Sequence, residues 1–167
     1  MSLETRSSRC PILLVEDNPE DREATLRALR KSRVANAIHH VADGDEALDF
    51  LYQRGPYAER DRAPRPGVIL LDLNLPGTDG REVLAKIKKD PRLRTIPVVV
   101  LTTSTDDRDI RECYSMGVNS YVHKPVDLPG FMEAIGRLEK YWCEIVILPP
   151  SEVNCQDESS AAARSHH

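Results

Sequence analysis

The sequence is short of several features, and each shortage narrows what it can do. Its four cysteines, Cys10, Cys113, Cys143 and Cys155, are scattered, with no C-x-x-C pair and no metal-finger spacing. Free thiols, not a zinc site or a disulfide framework, are therefore expected. No apolar run approaches the roughly 20 residues that a membrane-spanning helix needs. The opening M-S-L-E-T-R-S-S-R-C has no apolar signal-peptide core, so a cytoplasmic location without membrane attachment is expected. Basic charge is also scarce: 23 lysines and arginines face 27 acids, a net charge of −4. No basic field draws the chain to nucleic acid. The closing A-A-A-R-S-H-H reads as an expression-tag remnant and carries no function.

What remains is a balanced globular composition, 40% hydrophobic and 30% charged over 167 residues, enough for one domain with spare length at its ends. Apolar strand-like runs at 11–15, 37–41, 68–72, 97–101 and 120–122 alternate with helix-period segments. Pro19 opens the first helix, where a missing N–H costs little. Ala47, Leu48 and Leu51 mark a second over 45–53; Val83, Leu84 and Ile87 mark a third that ends at Asp90-Pro91. A fourth spans 106–116, closed by Gly117, and a fifth runs from about 127 to 141. The charged, Pro- and Gly-rich stretch 54–67 reads as an exposed loop. Five βα units with continuous apolar strands predict an α/β fold, a parallel sheet covered by helices on both faces. Ligands of such sheets sit beyond the carboxyl ends of the strands.

The residues just past those strands are a biased set: Glu16-Asp17, Asp72, Thr102-Thr103 and Lys124-Pro125. Taken singly, an acid pair is a helix cap, a threonine a strand end and a lysine a surface charge. Together they put three acids, hydroxyls and one lysine on one rim. Clustered carboxylates repel one another unless a cation intervenes, and an all-oxygen donor set favours magnesium over zinc. Asp17 and Asp72 are expected as direct ligands, with Glu16 reaching the ion through a water. An aspartate carboxylate can itself accept a phosphoryl group as an acyl phosphate. Lys124 then serves as a point charge on that group and Thr102 as a hydroxyl donor.

The pieces I-L-L-V-E-D-N, V-I-L-L-D-L-N-L-P-G-T-D-G, V-V-V-L-T-T-S and S-Y-V-H-K-P carry a resemblance. So do the 30 positions from Asp72 to Thr102 and the 52 from Asp72 to Lys124. Over about 11–141 the sequence resembles the receiver domain of two-component response regulators. The resemblance implies a flavodoxin-like, doubly wound five-stranded sheet in the order 2-1-3-4-5. It implies Asp72 as phosphoacceptor, and Glu16, Asp17, Asp72 and the backbone carbonyl of Asn74 as a magnesium site. It further implies Thr102 and Tyr121 as a switch pair, Lys124 as the phosphate-binding lysine, and a cis Lys124–Pro125 bond. L-Y-Q-R-G-P-Y, the long loop, L-T-T-S, and K-P-V-D-L followed by Trp142 are similar to phytochrome-associated response regulators. That similarity implies a sensor histidine kinase of the bacteriophytochrome kind as phosphodonor and a protein that is not an enzyme, beyond accepting and losing its own phosphoryl group.

The expected organisation is an N-terminal tail (1–9), a receiver (10–142), an apolar extension (143–150) and a disordered tail (151–167). Trp142, Ile145 and Ile147 lie in the most apolar stretch outside the predicted sheet. They either fold back on their own domain or meet helices 4 and 5 of a second copy, and a homodimer is expected. His39 and His40, adjacent on a strand, point to opposite faces and make a poor joint site. His123 is expected to be structural or exposed. Two other functions compete. A haloacid-dehalogenase-like phosphohydrolase wants D-x-D after the strand, but here Asn74 stands where its general acid or base would be. A phosphate-independent adaptor would not need the whole constellation.

Overall fold

Runs such as Ile-Leu-Leu-Val and Val-Ile-Leu-Leu have no polar face to offer water, so they are stable only in a sheet covered on both sides. The computed structural model describes residues 11–30, 37–59, 62–103, 106–124 and 127–140 and puts these runs in such a sheet. The strands are β1 (Ile12–Val15), β2 (Ile38–Val41), β3 (Val68–Leu71), β4 (Val98–Thr102) and β5 (Ser120–His123). All pair in parallel, in the order β2-β1-β3-β4-β5. The helices are α1 (Pro19–Arg30), α2 (Gly44–Tyr52), α3 (Gly80–Lys89), α4 (Asp107–Ser115) and α5 (Leu128–Glu139). This is the expected flavodoxin-like topology, and its order switches direction between β1 and β3.

Alternation along the strands sorts the core into two layers. Leu13, Val15, Ile69, Leu71, Val98 and Val100 face α2, α3 and α4. Ile12, Leu14, Val68, Leu70, Val99 and Leu101 face α1 and α5, where Ala24, Ala28, Leu29, Phe131 and Ile135 meet them. Each helix starts on a side-chain cap that satisfies first-turn N–H groups. Asn18 Oδ1 accepts from Glu20 and Asp21. Asp43, Asp79, Asp106 and Asp127 do the same for the four later helices.

Element bounds differ from the sequence expectation by one or two residues, and one difference matters. The β3 ladder ends at Leu71, so Asp72 stands just past the strand and is not its last member. The stretch 54–67 is also less exposed than expected. Gly55–Tyr57 forms a 3-10 turn, Tyr57 packs edge-on against Phe50, and Ala63 is fully buried. Its apolar groups come singly with no period, which hides them from a pattern search. Cys113 is a buried free thiol. The other three cysteines, the Lys124–Pro125 bond, Trp142 and the apolar extension lie outside the described residues. Among those described, no helix is long and apolar enough to cross a membrane.

Candidate functional site

Register determines which strand ends become neighbours. Val15 pairs with Leu71, so Glu16 and Asp72 leave adjacent strands side by side. The Asp72 N–H donates to the Val15 carbonyl at 3.1 Å, extending the ladder by one bond. On the far side the Lys124 N–H donates to the Thr102 carbonyl at 2.8 Å. Continuing the strand alternation puts Glu16, Asp72 and Lys124 on the α1/α5 side of the sheet. Thr102 continues the opposite series of Val98 and Val100, and Tyr121 packs against that same opposite layer.

Lys124 is 4% exposed and donates to three carboxylates. Its Nζ lies 2.5 Å from Glu16 Oε2, 2.9 Å from Asp21 Oδ2 and 3.0 Å from Asp72 Oδ2. Burial pulls its pKa down, but the hydrogen bond and charge of Glu16, then Asp72 and Asp21, more than offset this and hold the ammonium protonated. Glu16 is 2% exposed; burial pushes its carboxyl up to about 7, with the neighbouring Asp72 charge adding to the rise and Lys124 opposing it. Its other oxygen accepts the Asn18 N–H at 3.1 Å. Three carboxylates thus face one ammonium, an arrangement short of positive charge.

A divalent cation would supply it, and the side chains fit one. Glu16, Asp17 and Asp72 each offer a carboxylate oxygen, and these oxygens all lie within 4.8 Å of one another. The donors are all hard oxygens, as magnesium or manganese requires. Asp17 is exposed and Asp72 is 7% exposed, so the group opens to solvent on one side.

The turn after β3 is built around Asp72. Its Oδ1 accepts the Asn74 N–H at 3.1 Å, which pins the first residues of the turn. Gly77 has φ +69, the left-handed region that the P-G dipeptide calls for. Gly80 lets α3 start directly beneath Asp72: a Cβ there would collide with the Asp72 carbonyl and with Leu73. Farther along, Arg81 grips Asp109 with two bonds, Nε–Oδ1 2.7 Å and Nη2–Oδ2 2.6 Å, and so joins α3 to α4.

Of the residues expected from sequence, Glu16, Asp17, Asp72 and Lys124 are brought into one group. Thr102 is completely buried and joins Lys124 through the backbone. Tyr121 is half-buried two pairs earlier in the ladder, opposite Val100. Asn74 is exposed beside Asp72. The histidines stay apart: His39 stacks near Phe50, His40 Nε2 donates to the Glu16 carbonyl, and His123 is exposed. Asp21 was not expected. An acid in the first turn of a helix reads as a dipole partner, and nothing local signals a lysine 103 positions away.

Residues 12–136 match the model of the response regulator receiver domain. The response regulator Rcp1 of Synechocystis sp. is 44% identical over 138 residues, 83% of this chain and 92% of that protein. The crystal structure of the phosphorylated cyanobacterial phytochrome response regulator RcpA superposes with a TM-score of 0.81 at 45% identity, covering 85% of this chain and 99% of that one. The Mn(2+)-bound form of Rcp1 superposes with a TM-score of 0.79 at 43% identity, covering 84% and 99%.

Proposed function

The chain belongs to the response regulator receiver domain family, and on that footing we propose that Asp72 is its phosphoacceptor. The observation that carries this reading is the buried Lys124 ammonium 3.0 Å from Asp72, beside the acidic trio. A histidine kinase is the partner that membership in a two-component family implies. In the transfer, the P–N bond of the kinase phosphohistidine breaks as a bond forms from phosphorus to an Asp72 oxygen, and the electron pair returns to the imidazole. Lys124 turns one N–H from the Asp72 carboxylate to the phosphoryl oxygens, and the turn pinned by Asn74 keeps the acceptor at the rim. Thr102 donates its hydroxyl to the phosphoryl group, and Tyr121 follows it, passing the change toward α4 and β5. Hydrolysis at phosphorus returns the carboxylate and releases inorganic phosphate.

Glu16, Asp17, Asp72 and the Asn74 carbonyl would hold magnesium, which supplies positive charge for the phosphoryl oxygens. The Mn(2+)-bound form of Rcp1 supports a divalent ion at a site of this family. Asn74 disfavours a phosphohydrolase, since it cannot act as general acid or base. The signal is read by a partner or by a second copy of the chain. Light scattering of Ile145→Asp checks the second copy: a lower mass than the parent supports it, and a monomeric parent rules it out.

Similarity to RcpA supports a phytochrome-type kinase as donor. A labelled, autophosphorylated kinase of that type is expected to lose its label to the parent chain in the presence of magnesium, and not to Asp72→Asn. Equal transfer from an unrelated histidine kinase would remove the phytochrome assignment. Label that reaches Asp72→Asn would remove the acceptor assignment.

A further inference from the structure

Lys124 has three N–H donors and three carboxylate partners, and only two of those partners belong to the acidic trio. The third, Asp21, comes from a different element. It lies in the first turn of α1, the helix that covers the same side of the sheet from which Glu16, Asp72 and Lys124 emerge. Its amide is already satisfied by Asn18 Oδ1 at 3.1 Å, and its carbonyl accepts the Thr25 hydroxyl at 2.7 Å. The backbone of Asp21 is therefore fixed, and its carboxylate is turned across the rim to Lys124 Nζ at 2.9 Å. Thr25 is itself completely buried, so the first turn of α1 is anchored from within.

Asp21 stands outside the group of carboxylate oxygens that lie within 4.8 Å of one another. A cation drawn to Glu16, Asp17 and Asp72 competes with Lys124 for two of its three acceptors, and phosphorylation consumes the charge on Asp72. Asp21 alone keeps its full charge for the lysine throughout. We propose that Asp21 is a positioning residue for phosphoryl transfer: it is the fixed anchor that holds the Lys124 ammonium against the acceptor while Glu16 and Asp72 change partners. The lysine stem has four rotatable bonds, and a charge-assisted hydrogen bond to a carboxylate in a helix turn fixed at its amide and its carbonyl restrains the end that matters. This inference rests on the receiver reading above.

The test measures the first-order limit of labelling by a small acyl phosphate donor, together with the magnesium midpoint. Asp21→Ala is expected to lower the limiting rate about tenfold, the cost of one charge-assisted hydrogen bond, and to leave the magnesium midpoint unchanged. Asp21→Asn keeps an oxygen acceptor at the same reach and restores the rate to within about threefold of the parent. In a Lys124→Ala background, Asp21→Ala is expected to have no further effect, because it acts through the lysine. The Lys124 ammonium gives a second readout in a ¹H–¹⁵N spectrum: its slowly exchanging signal in the parent is lost in Asp21→Ala and kept in Asp21→Asn. That readout decides the matter where Lys124→Ala labels too slowly to time.

An unchanged rate in Asp21→Ala, a shifted magnesium midpoint with the rate intact, or an equal slowing without Lys124 would each overturn the proposal. So would an ammonium signal that survives Asp21→Ala. A parent chain that takes no phosphoryl group at all would instead overturn the receiver reading, and the two failures are distinct.

Discussion

The two ends of the same five strands are closed in opposite ways. At the amino ends, neutral groups are matched one to one. Gly67 N–H meets the Pro11 carbonyl at 2.8 Å, Ile69 N–H meets Pro97 at 3.0 Å, and Val98 N–H meets Asn119 Oδ1 at 3.0 Å. Cations there rest on carbonyls: Lys88 reaches those of Arg94 and Ile96, and Arg65 that of Arg92. At the carboxyl ends, charges are buried together. Among the described residues the buried polar or charged side chains are Glu16, Thr25, Asp72, Thr102 and Lys124, and all but Thr25 stand on that rim. Taking ions out of water costs several kcal/mol each and is repaid only by good geometry. An apolar rim would stabilise the fold as well, so the buried charges mark the end of the sheet that works and the amino ends the part that holds it.

Changes at the two ends should therefore differ in size and in pH dependence. The largest effect is expected from Lys124→Met, which leaves Glu16 and Asp72 buried without their cation. Urea denaturation at pH 8 without metal should show a loss of about 3 kcal/mol, smaller at pH 5, where Glu16 takes up a proton.

Next comes pH itself. The Glu16 carboxyl titrates at about 7 in the folded chain against 4.5 for the ordinary group. Between those values the folded state holds a proton that the unfolded chain has released. Stability of the metal-free protein should therefore fall as pH rises from about 4.5 to 7, by up to about 3 kcal/mol, and level off above. Lys124, raised above its usual value, adds stability that is lost only at strongly alkaline pH. Magnesium should reverse the trend, its stabilisation growing up to about pH 7 as Glu16 gives up its proton. A flat metal-free profile over that window would break the contrast between the ends.

A smaller loss, about 2 kcal/mol, is expected from Arg81→Ala, which removes both bonds to Asp109 between α3 and α4. The smallest is Lys88→Met at the amino ends. It should cost about 1 kcal/mol, with no change in the pH profile between 4.5 and 8.

Much of this was legible in the residues because the strands are short, apolar throughout and bounded by strong signals. Pro19, Asp90-Pro91 and Gly117 sit where helices begin and end. Even β2, with His39 and His40 in a four-residue strand, could be placed by its alternation with the flanking helices. Glu16, Asp17, Asp72 and Lys124 were legible because each lies within two residues of a strand's end, so topology alone brings them to one rim. Asp21 was not, because its role depends on how α1 lies across the sheet, which no local pattern encodes. The burial of Tyr57 and Ala63 in the 54–67 stretch was hidden for the same reason: Tyr57 donates to Glu46 at 2.7 Å, a contact made by packing, not by periodicity.

On the proposed reading, the buried charges of the carboxyl rim present Asp72 to a phosphoryl group. Intact-protein mass spectrometry after incubation with magnesium and a small acyl phosphate donor tests it most directly. The expected result is a gain of one phosphoryl group in the parent, absent in Asp72→Asn and absent when the metal is chelated. No gain in the parent, where another receiver labels under the same conditions, would contradict the claim, as would a gain that persists in Asp72→Asn.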